Sequence, residues 1–232
     1  MPTIDQTLAN WQKSLCPRIE VGSLLSRSPL AHKWKAPFRS LVLRETVFWR
    51  IHDLLTQSYE LHIARCTLGA RILLRSAFET LATLIYLNQE TAEVVAGKRD
   101  FHSFSHKTSR LLLGSRDKST KYEAINIVSV LEKCEKRYAG ILGLYSGLSE
   151  STHPNFKGMC FGYSHVDHDK HISEFSNNMF AMDGDKVVSA MELCMFVFEY
   201  EYNTEWLRQF ERLETWIIEN DAILESTKGR NV

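Results

Sequence analysis

Apolar residues recur along this chain at helical spacing almost from end to end. A run over residues 4–15, centred on Leu8, Trp11 and Leu15, predicts a short helix that Cys16-Pro17 ends. Residues 17–36, with Pro17, Pro29 and a serine-rich stretch, read as irregular. Beyond Pro37, residues Leu41, Val42, Phe48, Ile51, Leu54 and Leu55 lie on one helical face. The clearest helix covers residues 58–88, with Asn88 as its stop, and a short link leads into a helix over 91–113. Residues 114–119 form a loop, and residues 121–152 predict a long helix whose later half Gly140, Gly143 and Gly147 weaken or bend. An irregular insert over 154–183 precedes a last long helix over 184–224, opened by Asp183 or Asp185 as a cap. The expected fold class is all-α. A short N-terminal helix and irregular arm occupy residues 1–36, and a single helical-bundle domain carries the insert within residues 37–228.

Composition narrows the function classes. Lys and Arg number 28 and so do Asp and Glu, which does not indicate a globally basic nucleic-acid binder but leaves room for a local basic face. The cysteines at 16, 66, 134, 160 and 194 show no metal or redox spacing and fit reduced thiols in the cytoplasm. The first fifteen residues lack a signal pattern, and no apolar stretch reads as a membrane span. Phosphate-binding glycine loops, dinucleotide fingerprints and nucleophile elbows are missing, so no cofactor is implied.

Two places concentrate chemistry. At the end of the long helix, Tyr145, Ser149 and His153 recur every four residues with Ser146 beside them, which puts a phenol, two hydroxyls and an imidazole on one side of the cylinder. Within residues 72–88 the only charges are Arg75 and Glu79, set among Leu73, Leu74, Phe78, Leu81 and Leu84. A helix apolar all round is buried, so this pair is expected inside, or at a closed groove, and in need of partners. The simplest expectation is one polar network of Arg75, Glu79, Tyr145, Ser149 and His153, either closing on itself or lining a pocket. His165, His168 and His171 are spaced like metal ligands but sit among Asp167, Asp169 and Lys170, so a polar surface loop is expected and no metal site is assigned. The aromatic residues from Phe196 to Trp216 are expected in the core or at an oligomer interface.

The stretch Arg75-Ser76-Ala77-Phe78-Glu79, followed by Tyr145-Ser146-Gly147-Leu148-Ser149 and by His153-Pro154, resembles a group of bacterial all-α proteins. Those proteins carry an Arg-x-x-x-Glu helix and a later Tyr-x-x-Leu-Ser-x-x-x-His-Pro helix end, and are related in outline to the HEPN superfamily. The resemblance covers about residues 40–155. It implies an up-and-down bundle, a homodimer and a setting in toxin–antitoxin or other antiviral defence. Active HEPN members are metal-independent ribonucleases that use Arg, a polar residue and a later His. Arg99 and His106 match that spacing, with Asp100 as the polar residue, although the match precedes the Tyr145 segment instead of following it. There, His would move the 2′-hydroxyl proton while Arg stabilises phosphate charge. Two function classes remain open: an interaction or regulatory protein with a protein partner, and a dimeric ribonuclease acting on RNA.

Overall fold

The computed structural model describes residues 3–229. These residues are all-α apart from one hairpin. Helices α1 (Ile4–Ser14), α2 (Val21–Arg27), α3 (Pro29–His32), α4 (Lys35–Ile63) and α5 (Thr67–Val95) come first. Helices α6 (Phe101–Leu113), α7 (Ile127–Glu135) and α8 (Ile141–Thr152) follow. A π-helical stretch, Lys157–Phe161, leads into the antiparallel strands β1 (Ser164–Asp167) and β2 (Ile172–Phe175). The chain continues as α9 (Met179–Tyr200), a second π-helical stretch (Glu201–Glu205) and α10 (Trp206–Thr227). No described helix is long and apolar enough to cross a membrane.

Several boundaries differ from expectation for local reasons. Residues 17–36 hold two short helices, and the insert holds the hairpin. The clearest expected helix, 58–88, straddles two helices, because the chain turns at Arg65 in the left-handed region (φ 59°). Arg65 N–H donates to His62 O (2.9 Å) and Cys66 N–H to Leu61 O (2.8 Å), a Schellman closure without glycine. Asn88 does not stop α5, which runs on to Val95 and closes the same way through Gly97 (φ 69°), with bonds from Gly97 N–H to Val94 O and Lys98 N–H to Glu93 O. The expected helix over 121–152 is two helices. Gly140 (φ 96°) takes the left-handed turn between them, and the Glu135 carboxylate accepts from Gly140 N–H (2.7 Å) and Leu142 N–H (2.9 Å) at the start of α8. These bonds hold the Glu135 carboxyl below its ordinary pKa.

The chain divides into two compact units, each assembled from separated segments. The first takes residues up to Ser14, then 49–81 and 134–196. Its buried side chains include Leu8, Trp11, Ile51, Leu55, Leu74, Phe78, Leu81, Leu148, Val187, Met191 and Cys194. The second takes residues 15–48, 82–133 and those from Val197 on. There Trp34 meets Phe101 edge-on (5.4 Å between centroids) and Phe48 packs on Phe198 (5.2 Å). Phe198, Tyr202, Trp206 and Phe210 are core residues, while Phe196 stays exposed.

Candidate functional site

In the first unit, α5 and α8 pass in opposite directions, and their facing polar side chains meet in two layers. Arg71 reaches Ser151 Oγ (2.7 Å) and Gly147 O (2.8 Å), and one turn later Arg75 Nη2 donates to the Tyr145 hydroxyl (2.9 Å). The Tyr145 hydroxyl donates to Glu79 Oε1 (2.8 Å), and Arg75 closes the triangle with Glu79 at 3.3 Å. The Arg75 guanidinium also lies 5.2 Å from the Tyr145 ring centre. Three of the five expected network residues therefore come together.

The burial expected for Arg75 and Glu79 is not found: their side chains are 31% and 28% exposed. The reason is angular. Leu74 and Phe78 occupy the fully buried stripe of α5, and residues 75 and 79 lie about 100° round from it, at its margin. The buried charge is Arg71 instead, at 5% exposure, paired with Asp183 of α9 (3.2 Å) at 2%. Lys186 donates to the same Asp183 carboxylate (2.8 Å). Burial alone would raise the Asp183 carboxyl, but the Lys186 hydrogen bond and the nearby positive charges outweigh it and hold the group below the usual aspartate range. Burial pushes the Arg71 guanidinium down, and Asp183 opposes that shift.

Ser149 and His153 do not join the triangle. The Ser149 hydroxyl is buried and makes no hydrogen bond, and neither does Arg75 Nε. His153 is an exposed C-cap residue in an extended conformation (φ −87°, ψ 147°), the geometry that Pro154 imposes on the residue before it. Ser146 is exposed as well.

Arg99 and His106 lie in the second unit and do not share a helix face, because α6 starts at Phe101 with Asp100 as its N-cap. The Arg99 guanidinium binds Glu90 (2.5 Å) and Glu93 (2.7 Å), while His106 is exposed, its ring 6.0 Å from that of Tyr122. Glu90 also holds Lys107 (2.7 Å) and lies 3.5 Å from Lys133, so one buried carboxylate gathers three cations. Burial and the Glu90 charge push the neighbouring Tyr86 phenol far up.

No protein-family profile, curated protein or solved structure matches this chain. The geometry alone therefore ranks the sites. His165, His168 and His171 fall on or beside the hairpin, with His165 opposite Glu174. Among the described residues no three His, Cys, Asp or Glu side chains gather as a metal site. Arg71, absent from the expected network, was within reach of sequence reasoning, since it continues the Arg75–Glu79 stripe one turn earlier. The Glu90 cluster had no local signal, because its partners come from positions 99, 107 and 133.

Proposed function

We propose that this protein is an interaction or regulatory module that binds its partner through the Arg75–Tyr145–Glu79 face and the Ser149 hydroxyl one turn along α8. The observation that carries this reading is the pair of buried polar atoms without a protein partner, Arg75 Nε and Ser149 Oγ, beside a triad whose two charged members are partly exposed. Buried polar atoms are nearly always bonded, and each one left bare costs about 1–3 kcal/mol. A carboxylate or amide carbonyl is the kind of acceptor each of these donors lacks, and the Arg75 charge favours the carboxylate. The motif resemblance supports a bacterial defence or stress setting and action as a homodimer.

The test is the Arg75 Nε–H resonance in a nitrogen-edited NMR spectrum, titrated with acetate, an acetylated dipeptide and inorganic phosphate. Saturable displacement by a carboxylate, abolished in Ser149→Ala or Tyr145→Phe, is the expected result. A resonance that none of the three moves overturns the reading.

The ribonuclease reading has less in its favour, since Glu90 and Glu93 already engage Arg99. RNA cleavage in EDTA that disappears in both Arg99→Ala and His106→Ala would restore it.

A further inference from the structure

The strongest unused feature is the loop that joins α6 to α7 in the second unit. Its ends are tied together. Ser115 N–H donates to Tyr122 O (2.9 Å), Ala124 N–H to Ser115 O (3.3 Å), and Thr120 N–H to Ser115 Oγ (3.1 Å). Arg110 of α6 fastens the returning strand through Glu123 O (3.0 Å). Gly114 permits the closure, because a Cβ there would stand 2.3 Å from Arg110 O and 2.8 Å from Ala124 Cα. The result is a compact loop with closed ends, a form frequently functional. Lys118 is held in the left-handed region at its tip (φ 62°), a conformation that costs energy for a side-chain-bearing residue.

This loop borders an open pocket of about 570 Å³ lined by Arg116, Lys118, Lys121, Ser115, Thr120, Tyr122 and Glu123 among others. That size suits one nucleotide-sized ligand. Three cations fall within six residues of chain here. Lys33, Arg71, Arg99, Lys107, Lys186 and Arg208 each rest on a carboxylate. Among the described residues, Arg116, Lys118 and Lys121 have no such partner. The loop also carries two exposed carboxylates: Asp117 accepts from Ser119 N–H (3.1 Å), a bond that holds its carboxyl below the ordinary range, and Glu123 lies 4.0 Å from Arg110. Tyr122 adds an aromatic face, with the Lys121 ammonium 5.3 Å from its ring centre.

We infer that this loop is a binding site for single-stranded nucleic acid, with Arg116, Lys118 and Lys121 on consecutive phosphates and Tyr122 under a base. Three exposed cations outnumber the loop's two carboxylates and suit a phosphate chain, and an aromatic ring beside them is the stacking element such sites use. The pocket takes one unpaired nucleotide, which favours a single strand over a duplex. The site is independent of the Arg75–Tyr145–Glu79 face, which belongs to the other unit.

Fluorescence anisotropy of a labelled single-stranded oligonucleotide, in RNA and DNA forms, tests the inference on the full chain. Three phosphate contacts to a single strand predict a roughly 20-fold loss of affinity for a fourfold rise in salt. Arg116→Gln, Lys118→Gln and Lys121→Gln should each weaken binding and flatten that salt dependence by about a third. Tyr122→Leu should lower affinity about fivefold or more and leave the salt dependence intact. Lys13→Gln, an exposed lysine on α1, is the control and should bind as wild type does, and thermal melts establish that each variant is folded. Failure of folded wild type to bind at low salt, or an equal loss in Lys13→Gln, overturns the site. Inorganic triphosphate competing as well as the oligonucleotide at equal phosphate, with Tyr122→Leu unaffected, overturns the nucleic-acid assignment and leaves a phosphate site only.

Discussion

Arg71 and Arg75 are one helical turn apart and chemically identical, yet the structure gives them opposite weights. Arg71 is buried against Asp183, Ser151 and the Gly147 carbonyl, whereas Arg75 holds Tyr145 and Glu79 at a half-exposed margin. Breaking a buried pair strands its partner's charge, so Arg71→Ala should destabilise the protein by about 3–5 kcal/mol in urea unfolding. Arg75→Ala should cost about 1 kcal/mol or less. The double change Arg71→Met with Asp183→Leu should recover much of the Arg71→Ala loss, because it removes both desolvation costs. The same pair also sets an acid dependence. The Asp183 carboxyl is below its ordinary value when folded, so its contribution is complete above the unfolded aspartate pKa of about 3.9. That contribution fades as pH falls through the lower folded value, and urea midpoints in Asp183→Asn should lack this component. Burial raises the Cys194 thiol, which marks it as core.

At the scale of elements, the tight turn after α8 depends on a backbone contact that no side chain allows. A Cβ on Gly158 would sit 2.2 Å from His153 O and 2.9 Å from Ser151 O. Gly158→Ala should therefore shift the thermal midpoint down by several degrees, while Gly143→Ala, with open space around it and ordinary helical geometry, should leave it unchanged or slightly raised. The helices themselves were legible in the sequence because their apolar spacing is local information: α1 falls close to its expected span, and α6 ends at Leu113 as expected, although it starts ten residues later than expected, at Phe101. What was not legible came from distant partners. Asn88 reads as a helix stop, yet it is buried in mid-helix because its amide donates to Glu201 Oε2 (2.7 Å). Asp183 reads as a cap, yet α9 has already begun at Met179, whose N–H donates to Asn177 Oδ1 (3.1 Å), and Asp183 turns inward to Arg71. The Tyr145 triangle was legible in part, since spacing by four aligns Arg75 with Glu79. Its depth was not legible, because exposure depends on which side of α5 the rest of the unit covers. His153 was misplaced for a local reason that the sequence does contain: the following proline draws it out of the helix.

At the scale of the whole molecule, neither unit is a continuous piece of chain. Helices α4, α5 and α9 each contribute one part to one unit and the remainder to the other. A fragment ending at residue 133 would lack Tyr145, Leu148, Val187 and Met191 from the first unit and Phe198, Leu213 and Ile217 from the second. Such a fragment should show no cooperative urea transition, whereas the full chain should show one. Near-ultraviolet circular dichroism of both would check this.

The interleaving also has a genealogical consequence. A single crossover anywhere in residues 49–133 would join segments of both units from two parents, so neither unit could be inherited alone. Lineages of such a chain would change by substitution within the helices and by lengthening of the excursions at 115–126 and 162–178, and seldom by exchange of modules.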